Sequence, residues 1–187
     1  MRVRATAIQG LLRIEPSAAN DQRGSFIKTF RMQEFQELGL ATAFKEEYYS
    51  TSRHRVLRGM HLQIPPYEHA KIVCCMVGKV IDATVDLRIG SPTFGQSAMF
   101  ELNGSRGDML YIPVGVAHGF YVPGESATLM YKVTAVYSRE HDCGIRWDSA
   151  GIPWPDTSPI VSERDCSLPA LADFCSPFCY MDGARDG

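Results

Sequence analysis

Three side chains of this sequence carry groups that could move or stabilise a proton near neutral pH. His61, in the segment RGMHLQ, has an ordinary pKa of about 6.5 and can act as a base at physiological pH. Tyr137, in TAVYS, is a phenol that keeps its proton at neutral pH and can still deliver it to a carbanion. Lys71 precedes the apolar run IVCCMV, and an ammonium there suits an oxygen that gains negative charge. These residue types could serve as a base, an acid and a cation, although each residue alone also fits an ordinary position on a strand.

Length and charge limit the classes of protein to which the chain can belong. With 187 residues it is long enough for one buried domain and short for two, so we predict a single domain over residues 1–187. A net charge of −2 and a pI near 6.2 give no electrostatic basis for binding nucleic acid or an anionic membrane. No apolar run approaches the roughly 18 residues of a membrane span, and residues 1–10 lack the apolar core of a signal peptide. We therefore predict a cytoplasmic protein with neither nucleic acid nor membrane as a partner.

The six cysteines are predicted to be reduced thiols of structural rather than metal-binding character. Cys74 and Cys75 are adjacent in an apolar run, so they point to opposite faces of a strand and are expected to be buried. Cys166, Cys175 and Cys179 contain no CxxC pair, which gives little support for a zinc site. Reduced thiols agree with the cytoplasm.

The elements that must position these residues are mostly strands. Short runs rich in β-branched and aromatic residues recur between turn-forming residues. These runs are GSFIKTF, KIVCCMV, KVIDATVDL, QSAMFEL, DMLYIPV, GFYV and ATLMYKVTAVY. Only RMQEFQELGL has a helical pattern, with Met32, Phe35 and Leu38 on one face and Gly39 as its end. The polar end, residues 177–187, is expected to be loosely ordered. Many short strands and little helix predict an all-β sandwich or barrel.

Two stretches resemble the signatures of the cupin superfamily. GDMLYIPVGVAHGF, with Pro113, Gly115 and His118, is similar to the second signature. The first signature is altered, because Gln63 stands where a second histidine is usual and Lys71 where a glutamate is usual. Two imidazoles, an amide and an ammonium make a poor ligand set, since a cation in the metal's place repels another cation. The resemblance implies a metal-free cupin.

The altered signatures themselves resemble the nucleotide-sugar 3,5-epimerases of deoxysugar synthesis. The resemblance rests on RGMHLQ with Lys71, VDLRIGSPTFG, IPVGVAHGF, YKVTAVYS and GIRWDSAGIPWP, and it covers about residues 21–174. It implies a double-stranded β-helix (jelly-roll) barrel with short N-terminal strands as an arm and a C-terminal helical or irregular segment. It also implies a nucleotide-diphosphate sugar as substrate, no cofactor, and a homodimer in which each arm reaches into the partner's barrel.

The same resemblance implies roles for individual residues. The catalytic set would be His61 as base, Asp165 as its carboxylate partner, Lys71 facing the enolate oxygen and Tyr137 as the acid on the opposite face, with Tyr131 as its competitor. Substrate-binding candidates are Arg23, Phe26, Lys28, Glu46, Tyr48, Arg58, Gln63, His118, Tyr131 and Arg164. Arg23 and Arg58 would hold the diphosphate, for which a bidentate guanidinium is suited. Asp82 matches a barrel carboxylate to which no step is assigned.

Two departures from the family pattern leave the substrate open. Rhamnose-pathway members read roughly Gln-Asp-Asn-His-Ser where this chain has residues 46–50, EEYYS, and they usually carry a glutamate at the position of Lys28. Larger phenols and a reversed charge should reshape the sugar and nucleotide ends of the cleft. The alternatives are therefore a single-centre epimerase of a CDP- or GDP-linked sugar such as a 6-deoxyheptose, a non-catalytic sugar-binding cupin, or a metal-dependent cupin with His61 and His118 as ligands.

Overall fold

The computed structural model describes residues 1–181, and strands dominate this part of the chain. The strands are β1 (Arg2–Ala5), β2 (Leu12–Glu15), β3 (Ser17–Asp21), β4 (Gly24–Lys28), β5 (Glu46–Arg53), β6 (Leu57–Gln63), β7 (Lys71–Val77), β8 (Lys79–Asp86), β9 (Ser97–Asn103), β10 (Met109–Ile112), β11 (Val116–Tyr121), β12 (Ser126–Val133) and β13 (Asp142–Gly144). Two short α-helices, α1 (Met32–Glu37) and α2 (Glu163–Cys166), and 3₁₀ turns at Gly104–Arg106 and Leu171–Asp173 complete the elements. The predicted all-β class is confirmed.

The strands form two large sheets and one separate hairpin. Six strands are ordered β1-β2-β10-β7-β12-β5, five are ordered β13-β6-β11-β8-β9, and β3 pairs only with β4. All these pairings are antiparallel. Consecutive strands repeatedly lie in different sheets, which is the jelly-roll arrangement. Each large sheet is open, so the predicted barrel is a pair of facing sheets.

Alternation along β7 shows how the core is built on both faces of the six-stranded sheet. Val73 and Cys75 point between the two sheets, where they pack with Leu129 of β12 and Phe120 of β11. Ile72 and Cys74 point the other way, into a cluster that includes Phe35 of α1. Both predicted thiols are therefore buried, on opposite faces as expected. Because Lys71 shares the phase of Val73, the period of two directs its side chain inward as well.

Helix α1 confirms the only helix that the sequence pattern predicted, but not its predicted face. Its end is a Schellman motif: the amide of Leu40 donates to the carbonyl of Phe35, and the amide of Gly39 donates to the carbonyl of Gln36. Gly39 has a φ of 67°, which glycine adopts without steric cost. Phe35 is buried, whereas Met32 and Leu38 are exposed, since a helix of six residues offers only one turn to the sheet.

The strand β8 is buried on both faces, although its sequence alternates between polar and apolar residues. Ala83 and Val85 pack into the cluster outside the five-stranded sheet, whereas Val80 packs between the sheets. Asp82 shares the phase of Val80 and is fully buried with it. The polar face of β8 is therefore directed into the interior, so its buried carboxylates require hydrogen-bond or ionic partners.

The C-terminal part of the described chain is irregular, as predicted, but it is not loose. Phe178 is buried, and the backbone of Cys179 forms an isolated parallel β-bridge with that of Ile89. The prediction of loose order is therefore wrong for residues 177–181, and its remainder, residues 182–187, lies outside the described residues. Within residues 1–181, no helix has both the length and the apolar character needed to cross a bilayer.

Candidate active site

A cavity of about 510 Å³ opens between the two large sheets. Side chains and backbone from both sheets line it, together with the segment after β12. The lining residues are Glu46, Tyr48, Ser50, Arg58, His61, Leu62, Gln63, His69, Lys71, His118, Phe120, Tyr131, Val133, Ala135, Tyr137, Asp142 and Arg164. Ten of the fourteen residues proposed from the sequence are in this set, and Asp165 contacts it through His61.

The antiparallel pair β6–β11 supplies the polar residues of one wall. His61 lies opposite His118, and Arg58 lies opposite Phe120, with a shift of register between the two pairs. His118 and Phe120 are two residues apart and share a face, whereas Arg58 and His61 are three residues apart. The register shift compensates for this difference, and all four residues therefore line the cavity.

His61 and Asp165 form a hydrogen-bonded pair at the cavity wall. The Nε2 atom of His61 lies 2.8 Å from Oδ1 of Asp165, and Oδ2 accepts the amide hydrogen of Gly59 at 3.1 Å. Helix α2 holds Asp165 in place, because its N-cap residue Ser162 accepts the Asp165 amide through its side chain. Burial opposes ionisation of Asp165, but its hydrogen bonds and the charge of His61 outweigh burial and lower the pKa of this carboxyl. The ionised carboxylate only accepts, so Nε2 carries the hydrogen and Nδ1 is the basic nitrogen.

Lys71 crosses from the six-stranded sheet toward the strand that carries His61. Its Nζ donates to the backbone carbonyl oxygen of His61 at 3.4 Å, and the residue is only 6% exposed. Burial lowers the pKa of Lys71 from 10.5 to about 8, although the nearby carboxylates of Asp142 and Asp82 act in the opposite direction. Lys71 therefore remains a cation at neutral pH and can release its proton a little above it.

A second histidine–carboxylate pair lies on the same wall. The Nε2 atom of His118 is 2.7 Å from Oδ2 of Asp82, and both residues are buried. Burial raises the pKa of Asp82, while the charge and hydrogen bond of His118 and the charge of Lys71 oppose that rise. The other oxygen, Oδ1, has no hydrogen-bond partner among the described residues. Asp82 thus orients His118, and this pairing was not predicted from the sequence.

Tyrosines face the histidines from the opposite sheet. On β12, Tyr131 pairs in register with Tyr48 of β5, and their rings stack with centroids 4.9 Å apart. Burial raises the pKa of Tyr131 far above its ordinary value, and it raises the pKa of Tyr48 to about 12, so both phenols keep their protons. Tyr137 follows the end of β12, which stops at Val133, and it lies at the rim of the cavity with 58% of its surface exposed.

Arg58, Arg164 and Gln63, which were predicted to bind substrate, also contact protein groups. Arg58 donates through Nε to the hydroxyl of Ser52 at 2.9 Å. Arg164 forms an ion pair of 2.8 Å with Asp142. The amide group of Gln63 is bonded to the backbone of the segments on either side of it. Arg58 retains terminal guanidinium nitrogens for an anion, whereas Gln63 has its amide engaged.

The structure does not bring Arg23, Phe26 and Lys28 to the cavity of their own chain. They lie on and between β3 and β4, in the hairpin that pairs with neither large sheet. Arg23 is bonded to Asp21, and Phe26 is 63% exposed with the Lys28 ammonium 5.9 Å from its ring centroid. A substrate-binding role for these residues within one chain is therefore not supported.

Sequence reasoning missed two charged or titratable groups at the cavity. Asp142 lines it and bears on the pKa of Lys71, and His69 lies beside Gln63 with its Nδ1 atom 3.1 Å from the side-chain nitrogen. Burial, followed by the charge of Lys71, lowers the pKa of His69 to about 3, so this imidazole is neutral. Neither residue belongs to a local pattern that signals function. Within residues 1–181, no group of three or more His, Cys, Asp or Glu side chains is arranged to hold a metal ion.

Comparison with known proteins gives consistent matches over nearly the whole chain. A family model described as dTDP-4-dehydrorhamnose 3,5-epimerase matches residues 5–173. The dTDP-4-dehydrorhamnose 3,5-epimerase of Shigella flexneri is 39% identical over 176 residues, which are 92% of this chain and 97% of the relative.

Solved structures share the fold at similar levels of identity. A dTDP-6-deoxy-D-glucose-3,5-epimerase from Legionella pneumophila, in complex with dTDP-4-keto-L-rhamnose, superposes with a TM-score of 0.91 at 34% identity and covers 96% of this chain and 98% of its own. A 3′-monoepimerase from Streptomyces bikiniensis, as a double mutant with His replaced by Asn and Tyr by Phe and in complex with dTDP, has a TM-score of 0.85 at 30% identity. That match covers 90% of this chain and 86% of the other.

Proposed function

This chain belongs to the dTDP-4-dehydrorhamnose 3,5-epimerase family, and we propose that it inverts C3 and C5 of a dTDP-linked 4-keto-6-deoxy sugar. It is an epimerase, and so an isomerase acting on a nucleotide sugar. One observation carries the proposal for this chain's own residues: the His61–Asp165 pair and the Lys71 ammonium meet in one cavity, which tyrosines close from the opposite sheet.

The proposed reaction begins with removal of a proton from the carbon next to the ketone. Nδ1 of His61 takes this proton, and the Asp165 carboxylate stabilises the resulting imidazolium and holds its orientation. The ketone oxygen gains negative charge as the enolate forms, and the buried ammonium of Lys71 stabilises that charge. A phenol on the other side of the sugar then returns a proton, which inverts the centre. Every step uses groups of this chain and requires no cofactor.

Two tyrosines compete for the role of this acid, and the geometry favours Tyr131. Tyr131 projects from β12 into the interior, in the sheet that faces the strand of His61. In the Streptomyces monoepimerase, the replaced histidine and tyrosine are separated along the chain by the same number of residues as His61 and Tyr131. Tyr137 also lines the cavity, at its exposed rim, so the role predicted for it from the sequence stays a prediction that the variants below decide.

An epimerase of a single centre is the second candidate, and a specific contact favours it. Tyr48 stands where the rhamnose-pathway members carry a small amide, and its ring stacks on Tyr131. An aromatic wall at this point narrows the space on the side of the proposed acid. A sugar that presents only one of its two acidic carbons to that acid would be inverted at one centre. The CDP- and GDP-linked sugars, and a non-catalytic sugar-binding protein, are distinguished by the same experiment.

The test is proton NMR of the purified protein in D2O with dTDP-, CDP- and GDP-linked 4-keto-6-deoxy sugars in parallel. We expect loss of the C3 and C5 proton signals with the dTDP sugar, and no loss with His61→Asn. Tyr131→Phe should retain exchange at the face of His61 while losing product, and Tyr137→Phe should retain both. If the two Phe variants behave in the reverse manner, the acid is Tyr137. Loss of one signal alone would establish a single-centre enzyme, and no exchange with any nucleotide would sink the proposal.

We also propose that the working unit is a cytoplasmic homodimer of single-domain chains. The β3–β4 hairpin carries Arg23 and the exposed Phe26, and it pairs with neither large sheet of its own chain. Both residues could therefore reach the cavity of a partner chain. An Arg23→Ala chain mixed with a His61→Asn chain tests this arrangement. If arms are exchanged, the mixture regains activity, because one of the two cavities in a mixed dimer receives an intact histidine and an intact arginine.

A further inference from the structure

The side-chain amide of Gln63 makes an unusual set of contacts with the backbone around Tyr137. Its Nε2 donates to the carbonyl oxygen of Val136 at 3.1 Å, and its Oε1 accepts the amide hydrogen of Ser138 at 2.6 Å. The same Nε2 donates to the carbonyl oxygen of Tyr67 at 2.8 Å. The backbone thus engages both hydrogens of the amide nitrogen and also the amide oxygen, in a residue that is 4% exposed. Nδ1 of His69 lies 3.1 Å from the same nitrogen.

The orientation of this amide is fixed by the chemistry of its neighbours. If the oxygen and nitrogen were exchanged, Oε1 would face the carbonyl oxygens of Val136 and Tyr67. Nε2 would then face the amide hydrogen of Ser138. Each of these three backbone contacts would then pair donor with donor or acceptor with acceptor, which is costly in a buried place. Only one orientation of the Gln63 amide satisfies the three backbone groups.

The two groups on either side of Tyr137 belong to different peptide planes. The Val136 carbonyl is part of the plane before the Tyr137 Cα atom, and the Ser138 amide is part of the plane after it. A side chain that bonds to both planes restrains φ and ψ of Tyr137, and hence the direction of its Cα–Cβ bond. The preceding anchor of this segment is at Thr134, whose amide donates to the carbonyl of Ala70.

Gln63 itself is fixed to the strand of the proposed base. It lies two residues after His61 on β6, so the two side chains share the inward face of that strand. The contact therefore sets the rim segment, residues 136–138, relative to His61. We propose that Gln63 is a positioning residue, which orients Tyr137 over the cavity and does not itself bind the substrate. This inference rests on the proposed function, because it assigns the ring of Tyr137, which Tyr137→Phe keeps, to the substrate's surroundings.

Two substitutions and a matched control test the inference in the full-length protein. Gln63→Met keeps the length of the side chain and removes every hydrogen bond, whereas Gln63→Glu keeps an acceptor for Ser138 and loses both donors. Gln96→Met makes the same chemical change on an exposed loop side chain whose single side-chain bond reaches Pro92. Because a misplacement of about 1 Å near the chemistry costs up to about 100-fold, we expect Gln63→Met to lower kcat/KM by roughly 10- to 100-fold. Gln63→Glu should be intermediate and Gln96→Met within twofold of wild type.

A double-mutant cycle with Tyr137→Ala separates positioning from support of the fold. If Gln63 acts through Tyr137, Gln63→Met causes no further loss of kcat/KM once Tyr137 is alanine. A general structural role would instead give losses that multiply in the double variant, and that result would overturn the inference. Wild-type kcat/KM in Gln63→Met would overturn it as well. Circular dichroism checks that each variant is folded, and Gln63→Glu serves if Gln63→Met is not.

The same assays keep this inference separate from the proposed function. If the wild-type protein does not exchange C3 or C5 protons with any nucleotide sugar, the proposed function has failed and the inference falls with it. If the wild type is active and the cycle shows independent losses, only the role of Gln63 is refuted.

Discussion

Replacement of Asp165 by asparagine should place the proton of His61 on the wrong nitrogen. In the wild type, Oδ1 accepts from Nε2 of His61 and Oδ2 accepts from the amide of Gly59. Asparagine has only one oxygen, and the Gly59 amide can only donate. The new NH2 group therefore turns toward Nε2 of His61, which must then accept. The hydrogen moves to Nδ1, and the nitrogen that should take the substrate proton is no longer a base.

The size of the loss in rate follows from the second orientation that is open to the asparagine amide. For His61 to keep its basic Nδ1, the asparagine NH2 must face the Gly59 amide and leave that buried donor unsatisfied, at a cost of about 1–3 kcal/mol. Only about 1–15% of molecules then hold the useful tautomer, since about 1.4 kcal/mol is a factor of ten. The variant also lacks the negative charge that stabilises the imidazolium, and a hydrogen bond to a charged group contributes about 1.5–3 kcal/mol. Together these losses predict a fall of roughly 10²- to 10⁴-fold in the rate of proton abstraction.

The assay is loss of the C3 and C5 proton signals of the substrate in D2O, followed over time. Asp148→Asn is the matched control, because Asp148 pairs with Arg146 at the surface and should change the rate less than twofold. Circular dichroism and thermal melting confirm that both variants are folded. Exchange in Asp165→Asn within threefold of wild type would refute the argument, because it would mean that Asp165 does not set the tautomer of His61.

Two further predictions follow from the other walls of the cavity. Because burial lowers the pKa of Lys71 to about 8, its ammonium is lost as the pH rises through 8, so kcat should decline above that pH. Between pH 8 and 10.5 the unfolded chain binds this proton and the folded chain does not, so Lys71 makes the free energy of unfolding rise over the range in which activity falls. A kcat profile that stays flat to pH 10, measured alongside urea unfolding, would contradict this assignment. Tyr48→Asn should lower kcat about 2- to 13-fold, because stacking on Tyr131 contributes about 0.5–1.5 kcal/mol. Tyr48→Phe keeps the stacked ring, so its kcat should stay near that of the wild type. Equal kcat values for the two variants would argue against a role of the Tyr48 ring in supporting Tyr131.

Strands with a regular apolar or alternating pattern were predictable from the sequence. The run KIVCCMV is a strand with the predicted bounds, Lys71–Val77, because its β-branched residues end at Gly78. Burial of Cys74 and Cys75 on opposite faces follows from the period of two. By contrast, β5 and β6 were not among the predicted strands, since their charged and polar residues line the cavity and hide the usual alternation.

Parts of the site that depend on contacts distant in sequence could not be derived from local patterns. The pairing of Asp165 with His61 spans 104 residues, and only the resemblance to a family suggested it. Asp142 gives no local signal, because its significance depends on its ion pair with Arg164 and on the effect of its charge on Lys71. The resemblance to the epimerase family predicts that Gln63 binds substrate. In the structure its amide bonds to the backbone of a loop whose position the sequence does not encode locally.

One turn of helix connects the surroundings of the proposed base with those of the proposed cation. Helix α2 directs Asp165 to His61, and the preceding residue, Arg164, forms an ion pair with Asp142. The charge of Asp142 in turn is the largest influence that favours the charged form of Lys71. A shift of α2 would therefore disturb both the tautomer of His61 and the charge of Lys71, although the two residues lie on different sheets. Because the proposed base and the proposed cation would act on the same enolate, we expect a displacement of this short helix to slow proton abstraction through both groups at once.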